Sequence, residues 1–287
     1  MKISVYTCCN DAIEKEFTLF EGVKQALTFA DEVVYVDGSS KDGTLQWMEA
    51  FASRDNRIKI YKNLWPIHML KSATVVQKNL ALSKCTGDWC MLMDADEVYS
   101  NKLCSSIRDW IREAEEQKRI AVYCQTKHFF GNYTTLCSND PWCDYRWYEG
   151  KIYVVKNNIG IHHGNADGDH DGFVTNEDQT LDVYTLNLGN NVMTRAASVN
   201  HYGHVRSDEI YSQKKNAIER RYHPNWQDKD YTLMMFSEYF TGYLGEHPQS
   251  MSERTTLPIP LQHKDVLDYY KNWLEKNWDT TKGGTNV

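Results

Sequence analysis

The 287-residue sequence lacks several features that would place it in a special class of protein. No apolar run approaches the roughly 18 residues of a membrane span, so we expect no transmembrane segment. There is no internal repeat and no low-complexity segment. The eight cysteines form no C-x-x-C pair, which argues against a zinc knuckle. In a reducing compartment most of them are expected to be small buried side chains.

An excess of basic residues is also missing. The chain has 32 Lys and Arg against 39 Asp and Glu, a formal net charge of −7. This balance favours solubility and argues against broad electrostatic binding to nucleic acid. Residues 1–6 read as a first strand rather than a signal peptide, because no small-residue cleavage site follows. The default expectation is a cytoplasmic protein.

The most informative stretch is residues 88–97. An apolar strand at 89–93 runs directly into Asp94, Asp96 and Glu97. Carboxylates at the C-terminal end of a buried parallel strand lie at the sheet edge where open α/β folds bind ligands. Asp94 and Asp96 are two residues apart and point the same way if strand geometry persists. Such oxygen donors suit Mg²⁺ or Mn²⁺ carrying phosphates, although a solvated acidic turn is the alternative.

The first hundred residues alternate between strand and helix patterns, which predicts a parallel sheet covered by helices. The predicted strands are 2–6, 33–36, 58–61 and 89–93, and the predicted helices between them are 13–29, 45–52 and 74–83. A helix at 103–118 and a strand at 120–125 follow. Three strand ends then converge on one edge: residues 7–10, 37–42 and 94–97. Because two of the three are acidic, they indicate hydrogen bonds to a base and a ribose, plus a metal on a diphosphate.

Four ordered blocks carry a resemblance to a known family: Ile3-Ser4-Val5-Tyr6, Val36-Asp37-Gly38-Ser39-Ser40-Lys41-Asp42-Gly43-Thr44, Gln77-Lys78-Asn79-Leu80-Ala81, and Gly87-Asp88-Trp89 continuing to Asp94-Ala95-Asp96-Glu97. Over about residues 2–125 the chain resembles the nucleotide-binding half of a family 2-type glycosyltransferase. The resemblance implies an α/β fold of GT-A type, with a mostly parallel, Rossmann-like sheet covered by helices. It also implies a smaller acceptor-side region and C-terminal helices. We expect a nucleotide-sugar-binding half at 1–125, an acceptor and metal-completing half at 126–223, and a helical extension at 224–287.

The resemblance also implies roles for single residues. Asp37 would accept hydrogen bonds from uracil or a similar base, and Asp94 would touch the ribose. Asp96 would hold the divalent metal, Mn²⁺ or Mg²⁺, and Glu97 would either orient Asp96 or be solvated. The other nucleotide-sugar-binding candidates are Thr7, Cys8, Ser39, Asp42, Lys78, Asn79 and Ala95. Asp42 is the weaker of these because it also suits a helix cap.

The second half matches the family less tightly. His201 is the preferred histidine to complete the metal site, ahead of His204, and the alternative is that both only pack. Arg206, Lys214 and Lys215 are cations for a diphosphate, although the last two also suit an exposed helix face. Lys214, Lys215, Arg220 and Arg221 form a basic helix face, so a nucleic acid stays a subordinate alternative as the acceptor.

Inverting transfer needs a carboxylate that takes the proton of the acceptor. Asp178 is the first candidate, with Glu177 beside it and Asp169 in the competing acidic loop 165–172. That loop also has the alternating acids of a calcium site, but no EF-hand can be placed around it. Three aromatic residues could stack on a sugar or belong to the core: Trp142, Trp147 and Tyr148.

Together these features predict a metal-dependent glycosyltransferase of the hexosyl- or pentosyltransferase class. It would move a sugar from a nucleotide-diphosphate donor, preferably a UDP-sugar, to a carbohydrate or other acceptor, with inversion. A nucleotidyltransferase is the alternative enzyme, but residues 7–10 lack its Gly-rich signature with Arg and Lys. A non-catalytic nucleotide-sugar-binding protein is the other alternative, and the intact Asp94 and Asp96 argue against it.

Overall fold

The computed structural model describes residues 1–66, 73–137, 150–164, 173–174, 180–181, 192–223, 225–231 and 240–278. The candidate bases Asp178, Glu177 and Asp169 lie outside these residues, and so do the aromatic candidates Trp142, Trp147 and Tyr148. Among the residues described, no helix is both long enough and apolar enough to cross a membrane.

Strands and helices alternate first and then give way to a strand-rich second half. The strands are β1 (Ile3–Cys9), β2 (Glu32–Asp37), β3 (Ile58–Lys62), β4 (Trp89–Leu92), β5 (Glu97–Tyr99), β6 (Ala121–Phe130), β7 (Thr135–Cys137), β8 (Gly150–Lys156), β9 (His162–His163), β10 (Phe173–Val174), β11 (Thr180–Leu181), β12 (Val192–His204) and β13 (Phe240–Gly242). The helices are α1 (Leu19–Ala26), α2 (Thr44–Arg54), α3 (Ala73–Ser83), α4 (Asn101–Glu116), α5 (Asp208–Tyr222) and α6 (His263–Trp278). Short 3₁₀ helices occupy Gln249–Met251 and Arg254–Thr256.

The sheet has a parallel part and a mixed part. β3, β2, β1 and β4 lie side by side in that order, and each neighbouring pair is parallel. β8 then pairs antiparallel with both β4 and β6, while β12 runs parallel to β6 and antiparallel to β5. Every residue of β1, β2 and β4 is buried, as expected for strands covered on both faces. The predicted fold class, a largely parallel α/β sheet covered by helices, is therefore confirmed.

The two faces of the sheet bury two separate apolar clusters. Alternate residues of one strand enter different clusters, Val5 one and Tyr6 the other, because side chains of a strand point to opposite faces. The Val5 cluster includes residues of α1, α4 and α6, and the Tyr6 cluster includes residues of α3. The domain boundaries predicted after residues 125 and 223 stay predictions, and β6 runs through the first of them.

Two boundaries differ from the sequence prediction and matter for the site. β1 continues to Cys9 instead of ending at Tyr6, so Thr7 and Cys8 lie inside the strand. The first helix begins at Leu19 instead of residue 13. Before it the chain forms a turn in which Glu16 has a positive φ of 55°. The Glu16 carboxylate accepts hydrogen bonds from the backbone N–H and hydroxyl of Ser207, at 2.8 and 2.7 Å, at the start of α5.

A buried arginine fastens the C-terminal part of the chain to this turn. Arg254 is 1% exposed and forms an ion pair with Glu21 at 3.0 Å. Its guanidinium also donates to the hydroxyl of Tyr133 at 3.0 Å and to the backbone carbonyl of Glu16 at 2.7 Å. A buried charge is tolerated because it is paired and hydrogen-bonded. The C-terminal segment thus stabilises the turn at Glu16, which is hydrogen-bonded to the start of α5. Helix α5 in turn contains Lys214, one of the cations of the candidate site.

Candidate active site

The acidic turn after β4 is held by its own backbone and by β12. The Glu97 N–H donates to the Asp94 carbonyl at 2.9 Å, and the Glu97 carboxylate accepts from the Asp94 N–H at 3.1 Å. The antiparallel register of β5 and β12 pairs Glu97 with His201, and the Tyr202 N–H donates to the Asp96 carbonyl at 2.8 Å. This pairing brings the predicted acids and the predicted histidine together although they are about a hundred positions apart in the sequence.

Asp94 lies between two buried lysines. Its Oδ1 is 2.6 Å from the Nζ of Lys78, and its Oδ2 is 2.5 Å from the Nζ of Lys151. Lys78 is 2% exposed and Lys151 is 5% exposed. Burial alone would raise the pKa of Asp94, but the two ammonium groups outweigh it and hold the pKa well below the usual range. Lys78 therefore lies at the predicted site, and Lys151 is a site residue that the sequence analysis missed.

Glu97 belongs to the same cluster and is neither solvated nor directed at Asp96. It is fully buried, and its Oε1 accepts from the Tyr153 hydroxyl at 2.8 Å and lies 2.9 Å from the Nζ of Lys151. Burial raises the pKa of Glu97, partly offset by Lys151. We call Asp94, Glu97, Lys78 and Lys151 the inner cluster.

Asp96 faces a looser set of partners, which we call the outer cluster together with it. Its Oδ2 lies 3.1 Å from Nη2 of Arg206, 3.4 Å from Nζ of Lys214 and 3.7 Å from Nε2 of His201. Burial alone would raise the pKa of Asp96, but the neighbouring cations, Lys214 foremost and Arg206 with it, hold it well below the usual range. Burial lowers the pKa of Lys214 to about 8. Lys215 lies 3.7 Å from Glu219 on the same helix.

Gly203 lies directly against the side chains of the outer cluster. A Cβ at this position would lie 2.5 Å from both Oδ2 of Asp96 and Nε2 of His201. Such a distance is shorter than any real van der Waals contact of a Cβ. A side chain at position 203 would therefore displace the side chains of Asp96 and His201.

The two candidate histidines have different surroundings. Burial lowers the pKa of both, so each imidazole is neutral near pH 7. His201 points its Nε2 towards Asp96, and its Nδ1 lies 3.1 Å from Nδ1 of His128. The His204 ring stacks on Phe130, with centroids 5.6 Å apart and an interplanar angle of 17°. Of the two, His201 is the one that faces the acid predicted to hold metal.

The predicted base pocket lies at the ends of β1 and β2, where the parallel register pairs Cys9 with Asp37. Oδ1 of Asp37 accepts from the hydroxyls of Tyr35 and Ser40 at 2.8 and 2.6 Å. Its Oδ2 accepts from the backbone N–H groups of Ser39 and Ser40, both at 2.9 Å. A carboxylate has about four acceptor positions, so a base that binds Asp37 must share or displace one of these bonds.

Of the other residues predicted to bind the nucleotide sugar, three are buried and one is hydrogen-bonded within a turn. Thr7 is fully buried, and its hydroxyl has no hydrogen-bond partner among the residues that the structure describes. Cys8 and Ala95 are buried too. Asp42 accepts from the backbone N–H groups of Glu14 and Thr44, both at 2.9 Å, and so holds a turn together.

Asn79 is also engaged within the protein. Its side-chain amide donates to the His163 carbonyl at 2.9 Å and accepts from the His163 N–H at 2.7 Å, which joins α3 to β9. The indole of Trp65 lies beside the loop that follows β2, where a Cβ on Gly38 would be 2.7 Å from its Cε3. The roles predicted for these residues towards a ligand stay predictions.

The donor set of the outer cluster fits Mn²⁺ or Mg²⁺. Asp96 supplies a carboxylate oxygen and His201 a neutral imidazole nitrogen, both of which Mn²⁺ accepts. Within the described ranges no group of three or more His, Cys, Asp and Glu side chains is arranged to hold a metal ion. Two protein ligands are enough for a cation that completes its shell with phosphates and water.

Comparison with known proteins places these residues in a family. The profile of Glycosyl transferase family 2 matches residues 18–166, slightly more than half of the chain. Glycosyltransferase GlyG of Streptococcus pneumoniae serotype 4 is 21% identical over 113 residues, which cover 39% of this chain and 36% of the relative. An uncharacterized glycosyltransferase of Rickettsia bellii is 25% identical over 203 residues, covering 67% of this chain and 63% of the relative. The chain thus spans less than two thirds of either relative.

Solved structures give weaker likenesses. S. aureus TarS superposes with a TM-score of 0.47 at 16% identity, covering 79% of this chain and 41% of TarS. The mannosyltransferase PcManGT from Pyrobaculum calidifontis, in complex with GDP-Man and Mn²⁺, has a TM-score of 0.43 at 11% identity, covering 99% and 76% of the two chains.

Proposed function

Because the chain belongs to glycosyl transferase family 2, we propose that it transfers a sugar from a nucleotide-diphosphate donor to an acceptor with the help of Mn²⁺ or Mg²⁺. The preferred donor is a UDP-sugar, in which the N3–H of uracil would donate to Asp37 by sharing or displacing one of the four hydrogen bonds that this carboxylate already accepts. The acceptor is a carbohydrate or another hydroxyl-bearing molecule.

One observation carries the proposal: Asp96 and His201 face each other at 3.7 Å with two cations on the same carboxylate. The acid comes from the turn after β4, and the histidine comes from β12. An isolated acidic turn in solvent would not be matched by a neutral histidine, an arginine and a lysine from distant segments. The arrangement suits a site where negative charge from a ligand is to be neutralised.

The residues of the site then have separate tasks. Asp96 and His201 would hold the cation, which neutralises the charge on the leaving diphosphate. Arg206 and Lys214, which contact Asp96, would move to the phosphate oxygens when the donor binds. Arg206 would stay anchored meanwhile, because its Nε donates to the Gly203 carbonyl at 2.8 Å. Asp94 stays ionised beside its lysines and presents a carboxylate towards the ribose.

The transfer itself would proceed with inversion, and Asp178 is the proposed base. It would take the proton of the acceptor hydroxyl as that oxygen attacks the sugar. Glu177 and Asp169 are the competing candidates. Asp178→Asn should leave Mn²⁺-dependent UDP binding intact and reduce transfer by about a hundredfold or more, the range of general-base catalysis. Wild-type transfer by this variant would move the role of the base to another acid.

The experiment that tests the proposed function is a thermal-shift panel. The full chain is heated with UDP-, GDP-, CMP- and dTDP-sugars, each with and without Mn²⁺. A ligand at about 100 times its Kd stabilises the folded state by roughly 2.7 kcal/mol, which raises Tm by several degrees. We expect this shift for UDP-sugars in the presence of Mn²⁺ and not in its absence.

Asp96→Asn is the matched variant for this panel. It keeps the size of the side chain but removes the charge that would hold Mn²⁺, so the Mn²⁺-dependent shift and the release of UDP during turnover should both be lost. A normal shift in Asp96→Asn would show that the metal site is elsewhere. A shift without any turnover would favour a binding protein, and no shift with any of the nucleotides would contradict the donor class.

A further inference from the structure

A pair of histidines lies directly behind the acidic turn. The parallel register of β6 and β12 places His128 beside His201, and their Nδ1 atoms are 3.1 Å apart. The ring centroids are 5.0 Å apart at an angle of 68°, so the rings meet through their nitrogens and are not stacked. His128 is 5% exposed. With Asp96 at 3.7 Å on the other side of His201, the three side chains form a continuous row.

Two ring nitrogens at hydrogen-bond distance share one proton, because one must donate and the other must accept. If Nδ1 of a neutral His201 donates, the lone pair of that ring lies on Nε2, which faces Asp96. If Nδ1 of His201 accepts instead, Nε2 carries the proton and cannot bind a cation. The partner at Nδ1 therefore decides whether the histidine is a metal ligand.

We infer that His128 is a positioning residue: it accepts the hydrogen bond from Nδ1 of His201 and so holds the tautomer whose Nε2 is available to a divalent cation beside Asp96. To accept at Nδ1, His128 must carry its ring proton on Nε2. The inference rests on the proposed function, since it concerns the same cation. It adds a residue from β6 that lies 31 positions after Glu97 and carries no sequence signal of its own.

The first measurement is the Kd of Mn²⁺ for the full chain with saturating UDP, from the EPR signal of unbound Mn²⁺. His128→Leu removes the acceptor, and we expect the Kd to rise about 10- to 100-fold, the usual cost of losing the partner behind a metal-binding histidine. His128→Asn keeps an acceptor oxygen close to the former Nδ1 position, so its Kd should stay within about threefold of wild type.

His247→Leu is the matched control. Unlike the buried His128, His247 is half-buried, and it contacts the same region; its Nδ1 lies 2.8 Å from the Tyr202 hydroxyl and its ring 4.9 Å from that of Phe129. The same substitution there should leave the Kd of Mn²⁺ near that of wild type. If His247→Leu and His128→Asn lose as much affinity as His128→Leu, the effect is one of packing and the inference is wrong.

A second measurement reads the tautomer directly. In protein labelled with ¹⁵N-histidine and loaded with UDP and Mg²⁺, NMR should show His201 protonated at Nδ1 and unprotonated at Nε2. Wild-type affinity in His128→Leu would overturn the inference and leave the proposed function standing. A proton on Nε2 of His201 in this complex would overturn the inference together with the assignment of His201 as a ligand, but not the proposed transfer of a sugar from a nucleotide donor. Failure of the wild-type protein to bind Mn²⁺ with UDP would overturn both.

Discussion

Asp94 and Asp96 are two residues apart and carry the same side chain, yet the structure treats them differently. Asp94 belongs to the inner cluster, where lysine nitrogens approach it to 2.5 and 2.6 Å and are themselves almost fully buried. Asp96 belongs to the outer cluster, where its partners lie at 3.1 to 3.7 Å. The side chain of Asp96 is 15% exposed and that of Asp94 is 25% exposed, so contact distance and not burial separates the two. Asp94 is therefore held by shorter contacts than Asp96.

The difference shows how one short acidic motif can serve both stability and ligand binding. A buried charge that loses its partner is costly, so the inner cluster must stay intact in every state of the protein. Longer contacts are weaker, so we expect the outer cluster to exchange partners more readily when a ligand binds. We therefore expect the inner cluster to dominate stability and the outer cluster to dominate metal-dependent function.

The largest effect is expected from Lys151→Met, which would break the inner cluster. The substitution leaves the buried Glu97 and Asp94 without the ammonium group between them. We expect the free energy of unfolding to fall by about 3 to 5 kcal/mol, as measured by urea denaturation at pH 7. Adding Glu97→Gln should restore part of this loss, because it removes one of the two acids.

Lys156→Met is the matched control for that prediction. Lys156 lies at the end of the same strand and its side chain is exposed. Its replacement should change the free energy of unfolding by no more than about 0.5 kcal/mol. Equal effects of the two lysine substitutions would contradict the distinction between the clusters.

A smaller effect separates the two aspartates. Asp94→Asn removes the charge that both buried lysines face, so we expect a loss of about 2 kcal/mol in the free energy of unfolding. Asp96→Asn should cost less than about 1 kcal/mol, because Arg206 keeps its bonds to the carbonyls of Gly203 and Lys15. Denaturation curves of the two variants test this order, and the reverse order would refute it.

The smallest predicted effect is a pH dependence that belongs to the outer cluster. Lys214 has a pKa of about 8 in the folded protein against 10.5 as its ordinary value. Between these values the unfolded chain binds more protons, so this group makes the free energy of unfolding rise with pH. From pH 7 to pH 9.5 we expect wild type to gain about 1 kcal/mol relative to Lys214→Arg, after allowance for solvent exposure.

Lys214→Arg is the reference for wild type, because the guanidinium of an arginine stays protonated in both the folded and the unfolded states over this pH range. Asp94 should add nothing to this change, because its pKa is lowered as well, to well below 3.8 and so far outside this pH range. Its contribution is present above that pH and is lost only in acid. Parallel stability curves for wild type and Lys214→Arg between pH 7 and 9.5 would show that Lys214 has no lowered pKa.

The sequence by itself determined the alternation of strands and helices, the acidic turn after β4 and the family. These features are local: hydrophobic periodicity reports which residues are covered, and polar residues at the ends of parallel strands must meet at one edge of the sheet. It also favoured His201 over His204. The predicted start of α1 at residue 13 was wrong, since the helix begins at Leu19. The turn before it is held by hydrogen bonds from Ser207 to the Glu16 carboxylate, almost two hundred positions away in the sequence.

Only the tertiary structure decided which charges face each other. Lys151 reaches Asp94 because β8 is inserted antiparallel between β4 and β6, and His128 reaches His201 because β6 and β12 are parallel and in register. Nothing in the local sequence around either residue distinguishes it from an ordinary strand residue. Strand order and register are set by long-range packing, and the electrostatic difference between Asp94 and Asp96 follows from them.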